Sequence, residues 1–482
     1  MGKTASVLAV LALVAALSVA VSAHKDDERW SERERGREEE RWSERERRGH
    51  EEARGGDEGG TGWREGDDWF LPHHSRPVVK TEAGSMKLVK GSGKSPMHIG
   101  FITMEPKTLF IPQYLDSSLI LFVRRGEARV GNIYKDELVE RRLKVGDIYR
   151  IGAGSAFYLI NAEEGQRLHI VCSIDTSDSL SPNKFQSFYV AGGKNPTSVL
   201  SGFDHLTLST AFNVTEGELE DMLMNQREGP IIYLSNTTHS PRSWSTILEK
   251  TGQGGDGQQS TWSFRKMMVS FMDWSNKKKD DRKGSRTGKG PDAYNLYDRK
   301  PDFKNDYGWS IALDEKNYPP LSHNDIGVYL VNLTAGSMMA PHINPMATEY
   351  GIVLKGSGTI QIVYPNGSLA MNAKVSEGDV FWIPRFFPFC QIASRTGPFE
   401  FFGFTTSARN NWPQFLVGAD SLLHAMRGPE FAAAFGMTEK RLDYIIDAQR
   451  ESTILPTATV APPDEGAPGG VREAVRKFWS EW

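Results

Sequence analysis

Two long stretches of the chain alternate apolar and polar positions, and the segments that follow each of them do not. Pro77 to Val89 and His98 to Leu115 alternate and are rich in β-branched residues, and the pattern continues through Leu119 to Tyr134 and Lys144 to Ala162. Successive side chains on a strand point to opposite faces, so this period predicts strands with one buried face. Short strands parted by glycine turns, with no long helical period, predict a sandwich or barrel. A second region of this kind runs from Tyr307 to Thr406. After Phe203 the period becomes helical. Thr215 and Glu218 have the spacing of a capping box, ahead of the stripe Leu219, Met222 and Leu223. After the second β region, ADSLLHAMRGPEFAAAFGMTEKRLDYIIDAQ is helical again. Pro429 breaks it, Thr438 can cap the last helix, and Leu442, Ile445 and Ile446 form its apolar face.

The chain therefore reads as β module then helices, twice. LFVRRGEARVGNIY, from Leu121, parallels VLKGSGTIQIVYPNG, from Val353. KVGDIYRIGAGSAFYLINA parallels SEGDVFWIPRFFPFCQIAS, with Gly126 and Gly146 20 residues apart and Gly356 and Gly378 22 apart. A repeat of this length predicts duplicated domains rather than a solenoid. The expected divisions are an N-terminal barrel over 69–200, a helical arm and polar linker over 201–306, a C-terminal barrel over 307–408, a second arm over 409–456 and a flexible tail over 457–482.

Composition changes the picture chiefly at the N-terminus. Lys3, the apolar run Ala5 to Val21 and the small residues Val21-Ser22-Ala23 predict a secretory signal peptide over 1–23. Residues 24–68 are mostly Glu, Arg, Gly and Asp, with RWSERER at Arg29 and again at Arg41. Such a segment cannot offset its chain entropy by burial and is expected to be disordered or a transient helix. Overall 24% of residues are charged and 39% hydrophobic, with a net charge of −4, which argues against nucleic acid as the main partner. No later stretch is apolar for long enough to cross a bilayer, so no membrane partner is expected after cleavage. The two cysteines, Cys172 and Cys390, fall in different β regions, so stability must come from core burial rather than a disulfide framework. Acceptor sequons stand at Asn213, Asn236, Asn332 and Asn366, and each would need a surface loop to carry a glycan. NKKKDDRKGSRTGKGP, from Asn276, has no core residue and is an expected site of nicking.

Candidate chemistry gathers between Gly336 and Ser394. His342 and Asn344, two apart on a strand, share a face; Glu349 follows, and Cys390 lies on a later strand. His342, Cys390 and Glu349 would offer a Cu or Zn site. Alternatively, His342 and Glu349 hydrogen-bond inside a closed barrel and Cys390 is a small apolar residue. The rings of Tyr350, Phe381, Trp382, Phe386, Phe387 and Phe389 suit either a ring-shaped ligand or plain core. In the first region the corresponding positions, Gln113, Leu115 and Leu119, supply no ligand set. His73 and His74 adjoin and cannot share a strand face. No G-x-S-x-G elbow occurs.

The spacing from His342 through Asn344 to Glu349 before a glycine turn, then G-D-x-x-x-x-P before a further strand, resembles the cupin motif pair. The duplicated form with a charged extension and helical arms resembles the vicilin-like (7S globulin) seed storage proteins. AFNVTEGELEDML, YNLYDRKPDFKNDYGWSIA, NNWPQFLVGADSLLHAM and AAAFGMTEKRLDYII agree with that family in order, and the likeness covers Trp69 to about Pro456. The resemblance implies a mainly β fold with helical arms: two tandem cupin jelly-roll barrels, each followed by a short helical extension. It implies a non-catalytic nutrient reservoir with no required cofactor, a homotrimer linked through the arms near Leu442, Ile445 and Ile446, and passage to a protein storage vacuole or the cell exterior. A His and Cys copper or zinc site found in some members would land on His342 and Cys390. The readings from other classes are a metal-dependent cupin oxidoreductase and a sugar- or hormone-binding protein.

Overall fold

The computed structural model describes residues 70–72, 75–90, 97–161, 163–176, 185–234, 292–409, 412–457 and 460–462. The signal peptide, the Arg/Glu-rich extension, His73, His74, Asn236, the loop 276–291 and most of the tail lie outside the described residues. No described helix is long and apolar enough to cross a membrane.

In chain order the first module contains β1 (Ser75–Thr81), β2 (Gly84–Lys90), β3 (Met97–Met104), β4 (Thr108–Leu115), β5 (Leu119–Arg125), β6 (Ala128–Tyr134), β7 (Glu137–Leu143), β8 (Asp147–Ile151), β9 (Phe157–Asn161), β10 (Leu168–Asp175) and β11 (Ser187–Tyr189). Helices α1 (His205–Phe212) and α2 (Glu216–Met224) follow, and then β12 (Ile231–Tyr233) and β13 (Tyr294–Asn295). One sheet runs β1-β2-β3-β10-β5-β8-β13, and the other runs β11-β4-β9-β6-β7 with β12 beside β4. The second module contains β14 (Phe303–Asn305), β15 (Gly308–Leu313), β16 (Gly327–Leu333), β17 (Ser337–Ile343), β18 (Glu349–Val363), β19 (Leu369–Ser376), β20 (Val380–Ile383), β21 (Phe389–Ala393), β22 (Phe399–Thr405) and β23 (Gln414–Phe415). Helices α3 (Leu422–Ala425), α4 (Pro429–Ala434) and α5 (Glu439–Ile446) follow, then β24 (Ile454–Pro456). Its strands run β14-β15-β16-β22-β18-β21-β17-β23, with β19 and β20 on β18 and β24 on β17.

The repeat holds in atomic detail. Gly126, Gly146, Gly356 and Gly378 have φ of 78°, 89°, 80° and 94°, a region where a Cβ is strained. The amides of Gly146 and Gly378 donate to the Val123 and Val353 oxygens at 2.9 and 2.8 Å. Asp147 accepts from the Lys144 amide at 2.8 Å and Asp379 from the Ser376 amide at 2.7 Å, closing the same turn twice. The modules differ at the middle of the path. Gly126 separates β5 from β6, whereas β18 runs on through Gly356, pairing first with β20 and β22 and then with β19 and β21.

The expected divisions are crossed by hydrogen bonds. β12 and β13 fall within 201–306 yet pair with β4 and β8 of the first barrel. β14, also in that span, pairs with β15, and β23 and β24 from the second arm pair with β17. The capping box forms: the Thr215 hydroxyl accepts from the Glu218 amide at 3.3 Å, and the Thr215 amide donates to the Glu218 carboxylate at 2.9 Å. Thr438 occupies the cap position of α5, but its side chain makes no capping bond. Alternation fails where a sheet is covered on both sides. β3 and β10 are buried nearly throughout because Ile102, Met104, Ile170 and Cys172 face the first barrel's interior, while Ile99, Phe101 and Val171 join the core shared with the second.

Candidate functional site

A cavity of about 240 Å³ opens in the second barrel, walled by β15, β16, β17, β21 and β22 and by the segment around Trp412 and Phe415. β17 carries a bulge between Met339 and His342, which turns both side chains toward it. His342 packs between Phe389 and Phe415, with ring centroids 4.0 and 5.1 Å away. Its Nδ1 lies 2.7 Å from the Ala340 carbonyl. A carbonyl only accepts, so Nδ1 carries the proton and Nε2 is an acceptor. Burial lowers the His342 pKa to about 4, leaving it neutral.

Asn344 braces the turn that leads to Glu349. Its Oδ1 accepts from the Met346 and Ala347 amides at 3.1 and 2.9 Å, and its Nδ2 donates to Glu349 Oε1 at 2.9 Å. Burial raises the Glu349 pKa to about 7, against the pull of the Asn344 bond. The carboxyl is therefore part protonated near neutrality and can donate as well as accept. Tyr329 and Gln391 complete the polar wall, and the Tyr329 hydroxyl and Gln391 Oε1 are buried with no hydrogen-bond partner among the described residues. A glycine leaves room for the Tyr329 ring in this wall, and a second repeats the device beside it. Gly403 and Gly351 face each other across β22 and β18, between Tyr329 on β16 and Phe381 on β20. A Cβ at Gly403 would meet the Tyr329 hydroxyl at 2.4 Å, and one at Gly351 would meet the Phe381 ring at 1.9 Å.

Cys390 is not part of this cavity. Phe389 and Gln391 sit on the face that His342 and Met339 occupy, so Cys390 between them faces the other way. There it packs with Met338, Ile392 and Ala461, its Sγ 3.8 Å from Gln361 Oε1, and burial pushes its thiol up to about 11. The set His342, Cys390 and Glu349 is thus split across the sheet, and no group of three or more His, Cys, Asp or Glu that could hold a metal occurs among the described residues. One imidazole and one carboxyl are too few protein ligands for a copper or zinc centre.

The ring residues are also redistributed. Tyr350, Phe381, Trp382, Phe386, Phe387 and Phe389 are absent from the cavity wall, whose rings are Phe303, Tyr329, Phe401, Trp412 and Phe415. Trp382 and Phe387 instead cluster with Phe70, at 6.4 and 6.1 Å, and Phe386 is exposed. Gln391 was within reach of sequence reasoning, because it shares the parity of Phe389. In the first barrel Leu115 and Leu119 are core, and Gln113 is buried among them.

Of the sequons, Asn213 is exposed at the left-handed C-cap of α1. Asn366 is exposed in the β18–β19 turn, where its Oδ1 accepts from the Ser368 amide at 3.0 Å. Asn332 lies half-buried on β16 between two strands, with Nδ2 donating to Glu400 at 2.8 Å. That is a strand position and not the surface loop that a glycan there would need.

Residues 294–443 match the family model described as Cupin. A vicilin-like seed storage protein of Arabidopsis thaliana is 54% identical over 425 residues, covering 83% of this chain and 82% of the relative. A second from the same plant is 32% identical over 403 residues, covering 79% and 73%. Among solved structures, the vicilin of hazelnut (Corylus avellana) superposes with a TM-score of 0.65 at 24% identity, covering 80% of this chain and 98% of that one. That last likeness speaks for the fold.

Proposed function

Because the chain belongs to the vicilin-like seed storage proteins and is a seed storage globulin, we propose the finer reading that it is a nutrient reservoir without turnover, passing through the secretory pathway to a storage vacuole. The observation that carries this is identity of 54% along most of both chains. It is supported by the separation of Cys390 from His342 and Glu349, which leaves the second barrel without the ligand set a metal-dependent oxidoreductase needs. The reading requires no cofactor. It includes self-association into a homotrimer through the helical arms, each of which presents large apolar side chains to solvent: Leu206 and Met222 on the first, Tyr444 and Ile445 on the second.

The test is accumulation. The protein should build up in storage vacuoles of maturing seed and fall during germination; steady low abundance in vegetative tissue would overturn the reading. Asn213 and Asn366 are the glycan acceptors in this proposal. Glycopeptide mapping of seed protein should find sugar at one or both and none at Asn332.

A further inference from the structure

We propose that the cavity of the second barrel is a binding site for a small uncharged single-ring compound that carries a hydrogen-bond donor and an acceptor side by side, as an aromatic carboxamide does. Size comes first. At about 240 Å³ the cavity exceeds the roughly 150 Å³ that suffices for benzene and falls short of pockets for drug-sized ligands. Its wall is mostly apolar, with Met339, Phe401 and Phe415 offering faces to a ring. Trp412, 69% exposed, lines the side that opens to solvent.

Chemistry selects charge. No lysine or arginine lines the cavity; its ionisable wall groups are Glu349, His342, Tyr329 and Asp302. An anion would meet carboxyl groups and a neutral imidazole with no counter-charge. The polar atoms come as complementary pairs. Gln391 Oε1 and His342 Nε2 accept, while the Tyr329 hydroxyl and the protonated Glu349 carboxyl donate. Buried polar groups normally find partners, and here Tyr329 and Gln391 have none. An amide N–H₂ and C=O presented together would satisfy both. Asn344 holds one Glu349 oxygen, which leaves the other to turn toward a ligand carbonyl.

This inference is independent of the storage role, and its test uses the purified mature protein with benzamide as the neutral probe and benzoate as its charged isostere. Titration calorimetry at pH 6.5 should show saturable benzamide binding at one site per chain, with benzoate about tenfold weaker or more, as expected when a charge enters a dry site without a partner. Tyr329→Phe and Gln391→Leu should each weaken benzamide by about tenfold, the scale of one buried hydrogen bond lost. Wild-type affinity should fall from pH 6.5 to pH 8.5 as Glu349 loses its donor proton, and Glu349→Gln should abolish that dependence. Failure of the wild-type protein to bind benzamide, or benzoate binding as tightly, would overturn the proposal without recourse to variants. So would affinity unchanged in folded Tyr329→Phe and Gln391→Leu proteins.

Discussion

Glu349 shows how one residue couples burial to pH. Its carboxyl ionises near 4.5 when exposed and at about 7 in the fold. Between those values the folded chain holds a proton that the unfolded chain has released, so this group's contribution to stability declines as pH rises through that window and is flat above it. Glu349→Gln removes the ionisation while keeping an oxygen for Asn344. The variant should match wild type at pH 4 and exceed it at pH 8 by up to about 3 kcal/mol, read from denaturant unfolding at the two pH values. Equal stabilities at pH 8 would show that the carboxyl is not strained by burial. At this scale the sequence was legible in part. The spacing of His342 and Glu349 places both in the cavity, as the motif implies. Tyr329 was invisible because its position depends on Gly403, a residue on a strand that pairs with it only in the fold. Cys390 was misplaced because residue type suggested a ligand, whereas strand parity decides which face it takes.

The elements most readily legible were those with one wet face. β7, β19 and α5 keep polar or charged side chains outward, and their periods stand out. β3 and β10 are buried on both faces because the core shared with the second barrel covers the outer one, so burial there does not follow the alternation. The arms divide into an inner and an outer face in a way the stripe alone did not show. Leu442 and Ile446 pack with Ala432 inside the arm, while Ile445 and its neighbour Tyr444 are 47% and 69% exposed. The two faces predict opposite phenotypes. If the arms link the proposed trimer, Ile445→Glu should leave thermal unfolding of the isolated chain nearly unchanged but reduce the light-scattering mass from three chains to one. Leu442→Ala should loosen the arm by about 3 kcal/mol, the scale of a buried leucine truncation, seen as faster amide exchange in α4 and α5. A trimer that survives Ile445→Glu would move the interface elsewhere.

In the compact body as a whole, a set of ring, ionic and hydrogen-bond contacts joins the two barrels. The Phe122 and Phe402 rings stack at 3.9 Å across it. Arg124 donates to the Leu354 carbonyl at 3.2 Å and pairs with Glu377, and Asn324 bonds with both Arg150 and Asp175. Two modules joined this way should melt in one calorimetric transition. Phe402→Ala should lower stability by about 4 kcal/mol and broaden or split that transition; a single sharp peak in the variant would place the coupling in other contacts. The duplication was plain in the sequence, but the joint was not, because the apolar residues that form it read equally well as barrel interior.

The cavity that holds His342 and Glu349 also makes the responses of these two residues to acid offset each other. From about pH 4.5 to 6.5 the folded chain keeps a proton on the carboxyl, where exposure would shed it, and withholds one from the imidazole, where exposure would add it. Unfolding in that range hands one proton from Glu349 to His342 and trades none with solvent. The slope of stability against pH follows the difference in bound protons, so the two residues cancel. Acidification across those two units leaves this pair's joint contribution unchanged, because the fold has already moved the proton to the residue that can hold it without charge.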